Sequence, residues 1–506
     1  MILKPDNPHQ MYFTSRAEIV SGEDLLCTID EVVSRLDLEP LYACWSENGR
    51  AFYDPAMMLK ILFFAYCEGE RHSRQIAKRI KYDIRYQYFT GSLRPKYRTI
   101  CRFRTIDNEL LASYFVQIVS ICEQIGLLNT SMSAIDGTKI KASASSRRTF
   151  RKKDLDRLAE KYKQLLAEDA AIDLQAIGDG DIGEDEVEAE DSQEESIGDR
   201  DLKERIRKAM EKLEGGENEV NLTDADAKFM KTSDGGIRPS YNCQAATDKN
   251  QIIVAADVVN NADDTSSFKS MVEQSRSNVS GEIGQVLVDG GYFSRSNLKY
   301  IVEKEIDVYM PTGSGYQESE EKFSRDDFIH DGNTDSYQCP AGERLPYKHS
   351  RMRGNIAIKV YRCSSSKCRS CKLKSKCTTT SRRELNISEV WQHEKQMKEK
   401  LNTEEGQRIY NCRKSMVEPV FGNMKFNLGF ARFVLRGLKK VKSEFMLMCI
   451  AHNLKKMSRY WDKLRPAIES KIVLAEGIYV FSGLFLCILR KLLNRWTNLN
   501  LKTEYT

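Results

Sequence analysis

The stretch that decides the fold is SAIDGTKIKA, Ser133–Ala142. Apolar and polar residues alternate along it, which predicts a strand with Asp136 and Gly137 at its centre. Downstream, RPSYNCQAATDKNQIIVAADVV (238–259) holds two more alternating runs, with Lys249-Asn250 as the hairpin turn between them. A helix is expected after Asp264 and Thr265, in SSFKSMVEQSRS. GQVLVDGGYFSRSNLKYIVEKE (284–305) reads as an apolar strand ending at Asp289 and leading into a helix, and IDVYMPT as a further strand. The order strand, strand, strand, helix, strand, helix, strand predicts a mixed α/β sheet, not a regular parallel wind.

Upstream, the first ~125 residues read as helical. DPAMMLKILFFAYCEGE has a helix start at Asp54-Pro55. HSRQIAKRIKYD follows with Ser73 as N-cap, and Thr99 caps a third helix running through ICRFRTIDNELLASYFVQIVSICEQI. Short helices with tight connections are what helix-turn-helix DNA readers use. Arg71, Arg74, Lys78, Arg79, Arg98, Arg102 and Arg104 crowd this region, interleaved with tyrosines, and are the candidate phosphate contacts.

Asp136 and Asp289 both lie in apolar, strand-like surroundings, where a carboxylate costs free energy unless it is paired or binds a cation. Each is followed by glycine, which permits close approach of a ligand or backbone. A third acid, Glu418, lies in the helix-like QRIYNCRKSMVEPVFGNMKFNLGFARFVLRG. On a continuous helix Lys414, Glu418 and Lys425 share a face, although Pro419 can kink or restart the helix there. Three converging carboxylates can hold two Mg²⁺ or Mn²⁺ ions through oxygen ligands, a pair suited to phosphodiester displacement.

The chain has 506 residues, 41% hydrophobic and 30% charged, which fits a globular protein of several domains. A net charge of +5 hides a split: residues 168–201 carry fifteen acids against one arginine, so the remainder is basic and suited to a polyanionic partner. The acidic run reads as a solvated loop of an inserted helical arm. The start, MILKPDNPHQ, has no signal-peptide core, and the apolar stretch Ile478–Leu489 is short for a membrane span. Neither secretion nor a membrane partner is expected, and the fourteen cysteines are expected to be reduced. Five of them cluster: Cys339, Cys363, Cys368, Cys371 and Cys377. The Cys368–Cys371 pair suits one edge of a structural Zn²⁺ site, with four of the five as ligands.

These motifs together resemble the DDE transposases of bacterial insertion sequences. AIDGTKIKA is similar to the first-Asp strand, YNCQAATD to the second strand, VLVDGGYFS to the second-Asp strand, and RKSMVEPVFGNMK with RGLKKVKSEFMLMCIAHNLKK to the third-acid helix and its continuation. The likeness covers roughly residues 20–460. Many relatives show Tyr, two residues, Arg, three residues, Glu, six residues, Lys. Here Tyr410, Arg413, Glu418 and Lys425 follow that order, but four residues separate Arg413 from Glu418, so Arg413 and Lys414 compete for the phosphate-contacting role. Asp264 matches a recurrent family acid, and cysteine-rich insertions recur in this branch.

The resemblance implies an RNase H-like mixed sheet core with an N-terminal all-helical domain and inserted subdomains. The expected divisions are a helical DNA-binding domain (1–128), the first part of the core (129–146 and 220–315), the helical arm (147–219), the cysteine-rich insertion (316–385), the Glu418 helix with the last core helices (386–465), and a variable tail (466–506). It further implies catalysis by Asp136, Asp289 and Glu418 with two metal ions: cleavage at the element's terminal inverted repeats, then strand transfer into target DNA. The expected setting is a homodimer on paired double-stranded ends, in the cytoplasm and associated with the nucleoid. A metal-dependent endonuclease without strand transfer, and an inactive transposase-derived DNA-binding protein, are the alternatives.

Overall fold

A computed structural model describes residues 24–44, 52–105, 107–164, 190–232, 234–312 and 323–460. The first part of the acidic run (168–189), the Ile478–Leu489 stretch and the 466–506 tail lie outside the described residues.

The central sheet is built from β1 (Met132–Lys141), β4 (Lys228–Lys231), β5 (Ile237–Asp248), β6 (Ile253–Val259), β7 (Gln285–Val288) and β8 (Asp307–Tyr309). Its strand order is β6-β5-β1-β7-β8, with β4 extending the same edge of β5. β5 runs antiparallel to both of its neighbours β6 and β1, while β1, β7 and β8 run parallel. Helices Phe268–Ser277 and Arg295–Glu303 connect β6 to β7 and β7 to β8, as parallel crossovers require. This is the mixed α/β sheet expected from the element order, and it is consistent with the RNase H-like core that the resemblance implies. Between β5 and β6 the chain turns through Gln251, which has a φ of 65°.

In chain order the helices used below are α1 (Asp24–Arg35), α2 (Pro55–Cys67), α3 (Ser73–Tyr82), α4 (Ile84–Thr90), α5 (Tyr97–Phe103), α6 (Asn108–Gln124), α7 (Glu190–Glu214), α8 (Phe268–Ser277), α9 (Arg295–Glu303), α10 (Trp391–Asn402), α11 (Glu404–Met416), α12 (Glu418–Gly422) and α13 (Leu438–Ser458). Asp54 caps α2 as its sequence suggests, its carboxylate accepting from Ala56 and Met57 N–H. Two cap assignments need correction. His72, not Ser73, stands at the N-cap of α3. The long helix expected after Thr99 is broken into α5 and α6, because the Asp107 carboxylate accepts from Glu109 N–H and starts a new helix. Thr99 therefore lies inside α5.

α13 is buried along most of its length, from Val441 to Leu454, with its lysines near the two ends. It packs against α1, α2, α6 and β6. Its Asn453 amide serves as a strand partner for β6: Ile253 N–H donates to Oδ1 and Nδ2 donates to Ile253 O, both at 2.9 Å. His452 beside it is fully buried, with Nε2 2.9 Å from Gln251 O, and burial pushes its imidazole down to about 4. It is a satisfied interior histidine. One continuous hydrophobic core runs from Leu26 in α1, through the sheet, to Met457 in α13.

Two smaller bodies stand on this frame. The arm is closed by a ribbon of β2 (Thr149–Arg151) and β3 (Glu219–Asn221), and has its own small core around Leu158, Ile206, Leu213 and Val220. The cysteine-rich region forms a second sheet of order β13-β12-β11-β10-β9: β9 (Ile329–Asp331), β10 (Ser336–Gln338), β11 (Arg344–Arg353), β12 (Ile356–Arg362) and β13 (Glu384–Ser388). Among the described residues no helix is long and apolar enough to cross a membrane.

Candidate active site

Strand register brings the first two acids together. β1 and β7 are parallel with Ile135 opposite Val288, so the next residues, Asp136 and Asp289, emerge side by side at the same end of the sheet. Asp136 Oδ1 accepts from Gly137 N–H at 2.9 Å. Asp289 caps a short turn, Gly290–Tyr292, accepting from Gly291 N–H at 2.8 Å.

Glu418 arrives on the α11–α12 pair. α11 ends at Met416 and α12 restarts at Glu418, with Pro419 in the first turn, where a missing N–H costs nothing. The chain then passes through a π-helical turn, Asn423–Asn427, that carries Lys425. It returns to β1, where Phe433 N–H donates to Lys141 O at 2.8 Å. On an unbroken helix, residues five apart point about 140° away from each other. The restart after Met416 absorbs the extra residue between Arg413 and Glu418, and their side chains meet.

Arg413 is the hub. Its Nη1 lies 3.0 Å from Asp136 Oδ2 and its Nη2 3.8 Å from Glu418 Oε1. Burial works against the guanidinium charge, but Asp136, Tyr410, Asp289 and Glu418 outweigh it, and the pKa of Arg413 is raised. Burial pushes Asp136 up to about 6, assisted by the charge of Asp289 and opposed by Arg413 and the Gly137 N–H. Lys414, one residue on, is exposed. Of the two basic residues, Arg413 is the one that reaches the carboxylates. Lys425 is half-buried, and its pKa is lowered by burial against the pull of Cys243 and Asp136. Half-buried Tyr410 faces Arg413, and its phenol is raised, chiefly by burial.

A second layer lies beneath. The Asp264 carboxylate accepts from Lys139 Nζ at 3.1 Å, Asn242 Nδ2 at 2.6 Å and Gln244 Nε2 at 2.8 Å. Gln244 Oε1 in turn accepts from the Tyr292 hydroxyl. This layer explains Gly137. A Cβ there would lie 2.5 Å from Gln244 Nε2 and 2.8 Å from Asp264 Oδ1. A side chain there would push the ends of Gln244 and Asp264 aside, which favours glycine for a reason other than the close approach of a ligand or backbone expected from the sequence. Lys139 and Tyr292 escaped sequence reasoning, although a lysine in an otherwise strand-like run next to Asp136 was a usable signal.

Of the basic residues in the helical region, Arg74, Lys78, Arg98 and Arg102 are exposed. Arg74 and Arg98 flank the Tyr97 ring at 5.2 and 5.9 Å. Arg79 is half-buried, 3.9 Å from Glu70. Arg71 and Arg104 do not face solvent. Arg71 donates to Gly429 O at 2.9 Å and to Arg432 O, and pairs with the buried Glu444 at 3.5 Å. Arg104 donates to Arg71 O. The correction has a simple cause: a density of arginines does not distinguish surface contacts from buried ones that satisfy carbonyls.

The five clustered cysteines line one cavity with Phe323 and Leu345, and all are free thiols. Burial, with a contact to Cys368, pushes the Cys363 thiol up to about 12. Among the described residues, no group of three or more His, Cys, Asp or Glu stands in metal-holding geometry. For zinc the thiolate chemistry is suitable but the arrangement does not fit, and zinc is not supported. Asp136, Asp289 and Glu418 carry oxygen donors suited to a hard divalent cation, but they too stand outside metal-holding geometry, with the Arg413 guanidinium between Asp136 and Glu418.

No curated protein matches the chain. A family model described as a transposase DDE domain matches residues 338–458, which include Glu418. Another, described as a transposase domain (DUF772), matches residues 14–105 in the helical region. These two matches, on either side of the mixed sheet, support a DDE transposase of an insertion sequence.

Proposed function

We propose that the protein binds the terminal inverted repeats of its element and carries out metal-dependent cleavage and strand transfer at Asp136, Asp289 and Glu418. The observation that carries this reading is the gathering of the three carboxylates around Arg413. Asp136, Asp289 and Glu418 would hold two Mg²⁺ or Mn²⁺ ions. When bound, such a pair activates a water or a 3′-hydroxyl as nucleophile and stabilises the leaving oxygen. Asp136 must first lose its proton, which its raised pKa makes pH-sensitive. Arg413, released from Asp136, turns its planar fork towards a phosphate. Lys425 adds a second positive charge beside the scissile group, and Tyr410 positions Arg413. Arg74, Lys78, Arg98 and Arg102 supply phosphate contacts from the helical region. A homodimer on paired ends is the working assembly.

Incubation of the protein with DNA carrying the element's ends and Mg²⁺ tests this. Joined products, lost in Asp136→Ala, Asp289→Ala and Glu418→Ala, support the reading. Cleavage without joining reduces it to an endonuclease. Binding without metal-dependent cleavage overturns it.

A further inference from the structure

We propose that the β11–β12 ribbon is a second duplex-DNA-binding surface, gripping the phosphate backbone through Lys348, Arg351 and Arg353. This rests on the transposase reading and adds a contact outside the helical region. Between Glu343 and Glu384 the sequence holds thirteen Lys and Arg and no Asp or Glu. Folding neutralises only part of that charge. Lys359 pairs with Asp335, Lys367 with Glu343 and Arg362 with Glu384. Arg351 meets only the Asn386 amide, at 3.1 Å, and neither Lys348 nor Arg353 has an acidic partner among the described residues.

Geometry presents these charges outward. β10 pairs with β11 only over Arg344–Pro346, so from His349 to Arg353 the outer edge of β11 has no strand partner among the described residues. Every residue from 348 to 353 is exposed, and even Met352 is 65% exposed. β11 and β12 are joined at Gly354-Asn355, with Gly354 at φ 61°, the first position of a tight hairpin turn. A two-stranded ribbon of this kind fits the major groove of a duplex or lies along its backbone.

The ribbon is also fastened close to the carboxylates. Lys299, in α9, donates to Asn355 O at the ribbon turn at 3.2 Å and to Glu389 at 2.9 Å. α9 starts only six residues after Asp289. A duplex seated at the carboxylates would therefore pass near the ribbon. A free basic edge can also serve to prevent strand pairing between copies. That role predicts self-association on neutralisation, with no change in DNA binding.

The test uses the full-length chain in EDTA, with a random-sequence duplex titrated over a range of salt. Lys348→Gln/Arg351→Gln/Arg353→Gln is expected to lower the slope of log Kobs against log[salt] by about 2–3, since each phosphate contact contributes about 0.9. An unchanged slope, or self-association alone, overturns the proposal. If the triple variant does not fold, Arg353→Gln beside the turn is used alone, with an expected drop of about 1. An unchanged slope there overturns it equally. Cleavage of element-end DNA by the parent protein in Mg²⁺, measured in parallel, separates the two readings: cleavage with an unchanged slope in the triple variant overturns the ribbon proposal alone, and no cleavage overturns the transposase reading.

Discussion

The Arg413 guanidinium lies 3.0 Å from the Asp136 carboxylate, linking the third-acid helices to the first strand of the sheet. This contact gives Arg413 a double character. It neutralises the carboxylates in the structure as it stands, and it is the nearest arginine to any phosphate brought to them. Arg413→Gln is expected to lower the strand-cleavage rate by about 10²–10³, the range for removing one preorganised donor. Lys414→Gln, on the exposed side of α11, is expected to stay within a few-fold of the parent. Single-turnover cleavage rates check both.

Asp136 makes the metal-free protein pH-sensitive. Its folded pKa, about 6, lies above the ordinary carboxylate value of 3.8. The folded form therefore binds the proton more tightly, so the destabilising contribution is absent below the lower value and complete above the higher one. Stability in EDTA should fall as pH rises from about 4 to 6, by on the order of 1–3 kcal/mol from this group. Asp136→Asn should flatten that decline, measured as thermal midpoint against pH. Mg²⁺ affinity should rise over the same window, because a cation competes with the proton.

Gly137→Ala places a methyl group among Gln244, Asp264 and Asn242. Overpacking of this kind costs about 1–3 kcal/mol. The variant should melt earlier, and its cleavage rate should fall because Asp136 is the adjacent residue. Gly422→Ala, with no atom within 4 Å of the added Cβ, is the comparison and should retain the parent's melting temperature.

Arg71 and the exposed basic residues of α3 and α5 should separate cleanly. Arg71→Ala leaves Glu444 buried without its partner, which costs about 3–5 kcal/mol. Lys78→Gln and Arg102→Gln should leave the melting temperature alone and each reduce the salt slope of DNA binding by about 0.9. Calorimetry and salt-dependent binding read the two effects separately.

Much of this was legible before folding. Alternation around Asp136 and the apolar run ending at Asp289 located β1 and β7, and the element order disclosed the mixed sheet. What failed was local or collective. Asp107 outcompeted continuous helix between α5 and α6, because a carboxylate two residues before a free N–H is a stronger start than the apolar pattern reveals. Arg71 looks like its exposed neighbours until the carbonyls of Gly429 and Arg432 accept from it, and Arg104 until it donates to the carbonyl of Arg71. The sheet of β9 to β13 was hidden because β9, β10 and β13 are only three to five residues long, and β11 is exposed on both faces, so no period-2 apolar signal exists over residues 348–353. The meeting of Arg413 with Glu418 depended on a helix restart that spacing alone could only leave open.

The way Asn453 holds Ile253 bears on how the molecule can be divided. α13 is wrapped on one side by the strand its side chain completes and on others by α1, α2 and α6. A cut after residue 124 would strip it of those helices and bare a long apolar surface. The N-terminal helices and the central sheet are thus halves of one folding unit. Any DNA contact made by those helices would keep a set distance from Asp136 and Asp289, fixed when the chain folds.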